Sequence, residues 1–178
     1  MRQGQKIGAV AVVGGGIAGI QSALDIANSG FKVYLIEEKP NVGGVMSQLD
    51  KTFPTNDCSS CMMGPKLVEL AGHRNIEILT KTSVEKLNGE PGNFTLTVTH
   101  HPRFVREDKC TGCDECAKVC PIDLPANFNM GLNSRKAIYR NYPQAIPPTF
   151  TIDKRGTSPC KAICPAHISV QGYVALTA

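Results

Sequence analysis

A glycine-rich turn between an apolar strand and a helix constrains the fold of this chain more than any other feature. Three glycines form it in the spacing G-x-G-x-x-G: Gly14, Gly16 and Gly19. The continuous apolar run Ile7–Val13 before the turn is typical of a strand buried on both faces. Apolar residues at helical spacing predict a helix over 17–28, ended by Gly30, and a second strand over 31–36. A strand–helix–strand unit of this length predicts a parallel α/β sheet.

The same glycines predict a dinucleotide site. Gly14 permits the tight turn, Gly16 lets the backbone approach a pyrophosphate, and Gly19 lets the helix pack closely on the strand. The N-terminus of the helix offers free N–H groups and a partial positive charge to the phosphates. Glu37 follows at the distance expected for a carboxylate that accepts hydrogen bonds from a ribose diol. The alternative is an unrelated α/β domain in which Glu37 is merely solvated.

A second pair of glycines, Gly43 and Gly44, comes shortly after Glu37. Glycine at these positions would let the backbone pass close to the bound dinucleotide. An ordinary loop is the alternative interpretation. Both glycines therefore join the predicted cofactor-binding residues.

Cysteine is the most unusual part of the composition, with eight residues in a chain that has no tryptophan. Four of them form the run C-x-x-C-x-x-C-x-x-x-C-P: Cys110, Cys113, Cys116 and Cys120. Three thiolates at such short spacing wrap one iron–sulfur cube, and the fourth ligates a second cluster in two-cluster ferredoxins. Structural zinc usually takes two well-separated Cys-x-x-Cys pairs instead. The run therefore predicts 4Fe–4S binding.

Targeting signals bear on the chemistry of these thiols. The uncharged stretch Ile7–Leu24 is interrupted by glycines, lacks a clean cleavage site, and falls short of the about 20 apolar residues of a membrane span. We therefore predict a cytoplasmic protein without a membrane span. In a reducing cytoplasm, clustered cysteines more often bind metal or carry out redox chemistry than form structural disulfides.

A dinucleotide site beside an iron–sulfur motif favours FAD over NAD as the cofactor. Nicotinamides transfer two electrons together as hydride, whereas iron–sulfur clusters transfer one electron at a time. A flavin does both. The sequence therefore predicts a flavin that connects two-electron and one-electron transfer.

The other four cysteines allow several interpretations. Cys58 and Cys61 form a Cys-x-x-Cys pair that is a redox disulfide, two ligands of a cluster, or a pair of inert thiols. Cys160 and Cys164 form a Cys-x-x-x-Cys-Pro pair. Two ligands do not complete a cluster site, so their partners would lie elsewhere.

Composition limits the classes of partner and of fold. The net charge is only +4, the basic residues are scattered, and aromatic residues make up 6% of the chain. Nucleic-acid binding calls for a basic stripe with stacking aromatics, so we predict no nucleic-acid partner. With 42% hydrophobic and 19% charged residues, the chain is not wholly disordered.

Three segments are predicted along the chain. Residues 1–102 are a partial Rossmann-like FAD/NAD(P)-binding domain, and residues 103–150 are a ferredoxin-type 4Fe–4S insertion. Residues 151–178 are the start of a second iron–sulfur domain. The helix expected from Ile168 onward has no stop signal, so we expect the chain to be a fragment of a longer protein.

Within the first segment, three further strands are predicted. One covers 76–80, and two more, 84–87 and 94–99, flank a turn-rich stretch. We expect the last two to form a hairpin with a long loop.

Several short motifs resemble the flavoprotein subunit of heterodisulfide reductase. They occur in that family's order and extend the glycine turn and Glu37: LDKTFPTNDCSSC (49–61), PKLVE (65–69), HRNI (73–76), GNF (92–94), RKAIY (135–139) and PQAIP (143–147). The resemblance covers about residues 7–153. It implies a thioredoxin-reductase-like FAD domain interrupted by a ferredoxin module.

The resemblance also implies roles and partners. Gly14, Gly16, Gly19 and Glu37 would bind FAD, and the four cysteines of the ferredoxin-type run would bind clusters. The protein would belong to a soluble electron-transfer complex of several subunits, with ferredoxin or NAD(P)H as electron donor or acceptor.

The C-terminal part resembles a different family. The segment PCKAICPAHI (159–168) and VQGY (170–173) look like the N-terminal iron–sulfur domain of the glutamate synthase small subunit. This resemblance implies a fusion with an NAD(P)H-oxidising flavin module, which leaves open whether a disulfide is the substrate.

The sequence thus predicts an FAD- and iron–sulfur-dependent oxidoreductase component of anaerobic metabolism, inactive as this fragment alone. One alternative is a flavin-free, ferredoxin-like electron carrier. Another is a zinc-stabilised interaction domain. Flavin content and metal identity separate the three.

Overall fold

A three-stranded parallel sheet forms the centre of the computed structural model, which describes residues 8–154, 157 and 159–177. Its strands are β1 (Ala9–Val13), β2 (Lys32–Glu37) and β3 (Ile76–Thr80), with β2 in the middle. Val13 of β1 pairs with Ile36. The predicted parallel α/β sheet is confirmed, although Ile7 lies outside the described residues.

Two helices cover one face of this sheet. They are α1 (Ile17–Asn28), with the bounds that its periodicity predicts, and α2 (Ser59–Gly72). The core between helices and sheet consists of fully or nearly fully buried apolar side chains: Ile20, Ala23, Leu24, Ala27, Val33, Leu35, Val42, Met63, Leu67 and Leu70. Burial of this continuous apolar surface holds α1 and α2 against the strands.

Among the described residues, none packs closely on the other face of the sheet at β1, which corrects the prediction that β1 is buried on both faces. Side chains alternate along β1, and Val13 is 65% exposed. Within the described part of the chain β1 is an edge strand, and a cleft of about 770 Å³ separates its outer face from the hairpin that follows β3. The apolar run therefore marks a strand covered on one face only.

That hairpin consists of β4 (Thr82–Glu90) and β5 (Asn93–His100) in antiparallel pairing. The hairpin is confirmed, but the long loop is wrong, since only Pro91 and Gly92 connect the strands. Asn88–Glu90 continue the ladder, with Gly89 opposite Phe94. Gly89 adopts φ +109°, and a Cβ there would overlap the carbonyl oxygen of Asn93. Glycine therefore allows the turn-rich stretch to stay paired.

The ferredoxin-type insertion folds into short elements. In chain order they are α3 (Glu115–Val119), β6 (Asp123–Pro125), β7 (Ser134–Lys136) and β8 (Ile138–Tyr139). The strand β9 (Thr151–Ile152) begins the segment after the insertion. β6 pairs with β7 and β8 pairs with β9, both antiparallel. The β8–β9 pair joins the insertion to the segment that follows it.

Two helices end the described chain. α4 covers Pro159–Ile163, and α5 covers Val170–Thr177, two residues after the predicted start at Ile168. None of the helices in the described ranges is long and apolar enough to cross a bilayer.

Candidate functional site

The glycine turn has the geometry that a dinucleotide requires. Gly14 adopts φ +100°, and a Cβ on Gly19 would overlap the carbonyl oxygen of Gly14, so neither position accepts a side chain. Gly16 is the N-cap of α1, and no side chain caps that helix. An added Cβ on Gly14 or Gly16 would meet nothing within 4 Å. Open space thus lies beside uncapped N–H groups, which suits a phosphate.

Glu37 organises this turn from the end of β2. Its buried carboxylate accepts hydrogen bonds from the backbone N–H of Gly15 through Oε2 (2.6 Å) and from that of Lys39 through Oε1 (2.8 Å). An ionised carboxylate offers about four acceptor positions, and these two hydrogen bonds use two of them. The spacing placed Glu37 in the site, but it gave no sign of this second role.

The second glycine pair packs directly on the first turn. The N–H of Gly43 donates to the carbonyl oxygen of Gly15 at 2.7 Å. A Cβ on Gly44 would lie 2.9 Å from the Cα of Gly16. A 3₁₀ helix, Gly44–Gln48, follows. The fold thus brings together the six predicted cofactor-binding residues: Gly14, Gly16, Gly19, Glu37, Gly43 and Gly44.

The insertion contacts residues 41–48, which we call the glycine loop, through several hydrogen bonds. The N–H of Val42 donates to the carbonyl oxygen of Ile146 (2.9 Å). The Asn41 amide Nδ2 donates to that of Pro147 (2.8 Å), and the Gln48 Nε2 donates to that of Phe128 (2.7 Å). These contacts join segments about 80 to 106 residues apart, which sequence reasoning did not foresee.

Arg103 fixes the insertion at its start. Its buried guanidinium donates from Nη2 to the carbonyl oxygen of Pro40 (2.5 Å) and to the Thr80 hydroxyl. Nη1 reaches the Thr149 carbonyl oxygen at the other end of the insertion (3.4 Å). Burial lowers the pKa of Arg103, and the Glu107 carboxylate, 3.4 Å from Nε, opposes that shift.

Cys110 and Cys113 of the ferredoxin-type run precede α3, Cys116 lies within that helix, and Cys120 directly follows it. None forms a disulfide, and within the described ranges no three metal-binding side chains are assembled around a common point. The run still fits a cluster by its chemistry. Burial is the largest cause of a raised pKa at Cys116, and Cys110 and Cys113 add smaller electrostatic contributions in the same direction.

Backbone N–H groups point at two of the thiols. The N–H of Glu115 is the main cause of a lowered pKa at Cys113, and that of Ile138 is the main cause at Cys120. Such donors stabilise thiolates, which are the form that ligates iron. The four cysteines of the run, Cys110, Cys113, Cys116 and Cys120, would ligate iron–sulfur clusters. The clusters would supply one-electron transfer.

Cys58 and Cys61 are joined in a disulfide, with their Cα atoms 5.2 Å apart at the start of α2. Between them, the buried Ser59 hydroxyl donates to the carbonyl oxygen of Met46 (2.5 Å), within the 3₁₀ helix that begins at Gly44. Of the three interpretations, the structure displays the bonded pair. The disulfide is therefore attached to the glycine loop.

Cys160 and Cys164 lie in α4 and directly after it, and neither forms a disulfide. The backbone N–H of Ile168 is the main cause of a lowered pKa at Cys164. Their role as ligands stays a prediction.

The geometry so far, a glycine turn beside a carboxylate and a cysteine-bearing segment hydrogen-bonded to the adjoining loop, agrees with the comparison with known families. The sequence model of the family described as FAD dependent oxidoreductase matches residues 9–103, more than half of the chain. The chain belongs to the FAD-dependent oxidoreductase family. A model of the 4Fe-4S binding domain matches residues 104–124, which include the whole ferredoxin-type run. FAD and 4Fe–4S clusters are therefore the cofactors that the two families assign to it.

Relatives of this FAD-dependent oxidoreductase support the resemblance found in the sequence. It is 55% identical to an iron-sulfur subunit of the CoB–CoM heterodisulfide reductase of Methanopyrus kandleri, over 79% of this chain and 22% of that protein. It is 50% identical to one subunit of the H(2):CoB-CoM heterodisulfide,ferredoxin reductase of Methanothermobacter thermautotrophicus, over 80% of this chain and 22% of that protein. The resemblance to this heterodisulfide reductase component is confirmed.

The chain spans about a fifth of the length of these curated relatives, 22% in both cases. Among solved structures, L-proline dehydrogenase from P. horikoshii is similar at a TM-score of 0.44 and 28% identity. That similarity covers 55% of this chain and 20% of the dehydrogenase.

Proposed function

We propose that this chain is the cofactor-binding part of an FAD- and iron–sulfur-dependent oxidoreductase related to the flavoprotein subunit of heterodisulfide reductase. The observation that carries the proposal is the joining of two sites: the cysteine-bearing insertion is hydrogen-bonded to the glycine loop of the dinucleotide cradle. When bound, FAD would supply the exchange between two-electron and one-electron transfer, and the clusters would relay single electrons.

Each group of residues has a distinct task in this proposal. The glycines at 14, 16 and 19 let the FAD pyrophosphate approach the N-terminus of α1, and Gly43 and Gly44 pass close beside it. Glu37 stabilises the turn by accepting a hydrogen bond from Gly15, and it would also accept hydrogen bonds from the ribose hydroxyls. Cys110, Cys113, Cys116 and Cys120 ligate clusters, and Cys160 and Cys164 supply two ligands of a further one.

The whole protein would carry these sites as separate modules. We propose the division 1–102, 103–150 and 151–178. The buried Arg103 at the start of the insertion donates to the Thr149 carbonyl oxygen near its end, and β8 of the insertion pairs with β9 directly after it. The names of the relatives support a multi-subunit complex related to the reduction of heterodisulfide and ferredoxin. Ferredoxin or NAD(P)H is the proposed electron donor or acceptor. Thiolate-bound clusters favour a reducing, cytoplasmic setting.

Cofactor analysis of the full-length protein, purified without oxygen, tests the proposal. We expect FAD, iron and acid-labile sulfide in the same sample, with at least four iron atoms for each cluster expected. Iron and sulfide without flavin would instead favour a ferredoxin-like carrier. Zinc without iron or sulfide would favour an interaction domain and overturn the proposal.

A further inference from the structure

The glycine loop (residues 41–48) contacts both the glycine turn and the insertion. Gly43 and Gly44 lean on the glycine turn, through the hydrogen bond to Gly15 and the close approach to Gly16. The insertion contacts the same loop. The shape of the glycine loop therefore depends on residues that belong to the cluster-bearing module.

Tyr142 makes the most intimate of these contacts. Its hydroxyl donates to the carbonyl oxygen of Val42 at 2.5 Å. A Cβ on Gly43 would lie 2.7 Å from that hydroxyl, so the phenol fills the space beside the glycine. The ring stacks on Phe128 of the insertion, with centroids 5.6 Å apart, and Phe128 itself receives the hydrogen bond from Gln48. Tyr142 thus packs between Phe128 of the same insertion and the glycine loop.

Asn41 forms further hydrogen bonds between the glycine loop and the insertion. Asn41 donates to Pro147 and accepts from the backbone N–H of Asn141 (3.3 Å), which directly precedes Tyr142. Both ends of the 141–147 segment are therefore fastened to the start of the glycine loop. A loop that is already ordered loses less conformational entropy when a ligand binds.

We propose that Tyr142 is a positioning residue for FAD, through which the ordered insertion holds the glycine loop in its FAD-binding shape. The inference rests on the proposed FAD site and assigns a part of its affinity to the cluster module. Because such coupling is reciprocal, an ordered cluster module strengthens FAD binding and bound FAD stabilises the cluster module.

The test compares Tyr142→Phe with Tyr34→Phe in the full-length protein. Both variants lose one phenol oxygen, but Tyr34 lies on β2 beside the open cleft. After removal of FAD, the dissociation constant is measured by fluorescence titration with FAD, and iron is counted in parallel. We expect roughly threefold to tenfold weaker FAD binding for Tyr142→Phe, the effect of one hydrogen bond, with unchanged iron.

Hydrogen exchange provides a second measurement that needs no bound FAD. In the FAD-free protein, amides of residues 41–48 are expected to exchange faster in Tyr142→Phe than in Tyr34→Phe. Equal FAD affinity and equal exchange in the two variants would overturn the proposal. A parallel loss of iron and FAD in Tyr142→Phe would also contradict it, because Tyr142 would then maintain the insertion as a whole.

The same experiment separates this proposal from the assignment of FAD itself. If the unsubstituted protein binds no FAD, the proposed function fails and the positioning role falls with it. If the unsubstituted protein binds FAD and the variants do not differ, only the role of Tyr142 is overturned.

Discussion

The carboxylate of Glu37 serves two parts of the cofactor site. It accepts from Gly15 within the glycine turn and from Lys39 in the loop after β2, so it fastens that turn to the sheet. In the proposed FAD site, the same side chain would also accept hydrogen bonds from a ribose diol. We therefore propose that a single residue contributes both to the shape of the glycine turn and to recognition of the dinucleotide.

Substitution of Glu37 is the first prediction at this scale. We expect Glu37→Ala to weaken FAD binding by about tenfold or more, since hydrogen bonds to a charged group contribute about 1.5–3 kcal/mol each. Retained FAD is measured after gel filtration of the full-length protein. Glu38→Ala is the control, because the neighbouring Glu38 is exposed. Equal FAD retention in both variants would remove Glu37 from the site.

Cys113 carries the corresponding prediction for the cluster. Its thiolate is favoured by the N–H of Glu115, and we expect Cys113→Ala to lower the iron content of the full-length protein. Iron and sulfide assays check it. The disulfide to Cys61 predicts unchanged iron in Cys58→Ala. Undiminished iron in Cys113→Ala would refute its role, and lost iron in Cys58→Ala would restore the cluster-ligand interpretation of that pair.

At the scale of elements, local patterns explain most of what the sequence predicted. Periodicity predicted α1 and β3, because each buries one continuous apolar surface. Helix α2 had no such signal: Gly64 and Pro65 interrupt its pattern, and its cap is Cys58 rather than the usual Ser, Thr, Asp or Asn. Its assignment depends on tertiary packing against α1.

The candidate site also contains residues that local sequence patterns predict and contacts that they do not. The six residues proposed to bind the cofactor come from one local stretch, the glycine turn, the strand after it and the loop that follows, so the spacing of the motif was enough to propose them. The contacts from Phe128 and Tyr142 to the glycine loop could not be predicted, since they join residues about 80 to 100 positions apart. No local propensity encodes such a pairing.

The packing of α2 leads to a prediction about stability. Leu67 is buried at 2% exposure in the core, whereas Val68, next to it on the same helix, is 73% exposed. We expect Leu67→Ala to destabilise the α1–α2 unit by about 2–5 kcal/mol through the cavity it leaves. Val68→Ala should change it by less than about 0.5 kcal/mol. Hydrogen exchange of helix amides in increasing urea measures both, and similar values would contradict this packing.

At the scale of the molecule, the phenol of Tyr142 lies at the contact between the glycine loop and the insertion, and its titration is sensitive to that contact. Burial raises the pKa of Tyr142 from 10.0 to about 12. The folded state therefore prefers the neutral phenol more strongly than the unfolded state does. Its stabilising contribution is complete below pH 10 and is lost as the pH rises towards 12.

This gives a prediction of pH dependence. The difference in unfolding free energy between the unsubstituted protein and Tyr142→Phe should shrink between about pH 10 and about pH 12. Urea denaturation at a series of pH values, followed by the fluorescence of the remaining tyrosines, measures this difference. A difference that stays constant across this range would mean that Tyr142 is not buried against the glycine loop.

The same contact underlies the central claim, which is that flavin and clusters form one electron path. Stepwise reduction of the anaerobic full-length protein with dithionite, followed by absorption and electron paramagnetic resonance in the same samples, tests it most directly. We predict that the flavin bands bleach and that the paramagnetic signal of a reduced iron–sulfur cluster appears. Bleaching without any cluster signal, or a cluster signal from a protein without flavin, would contradict the account.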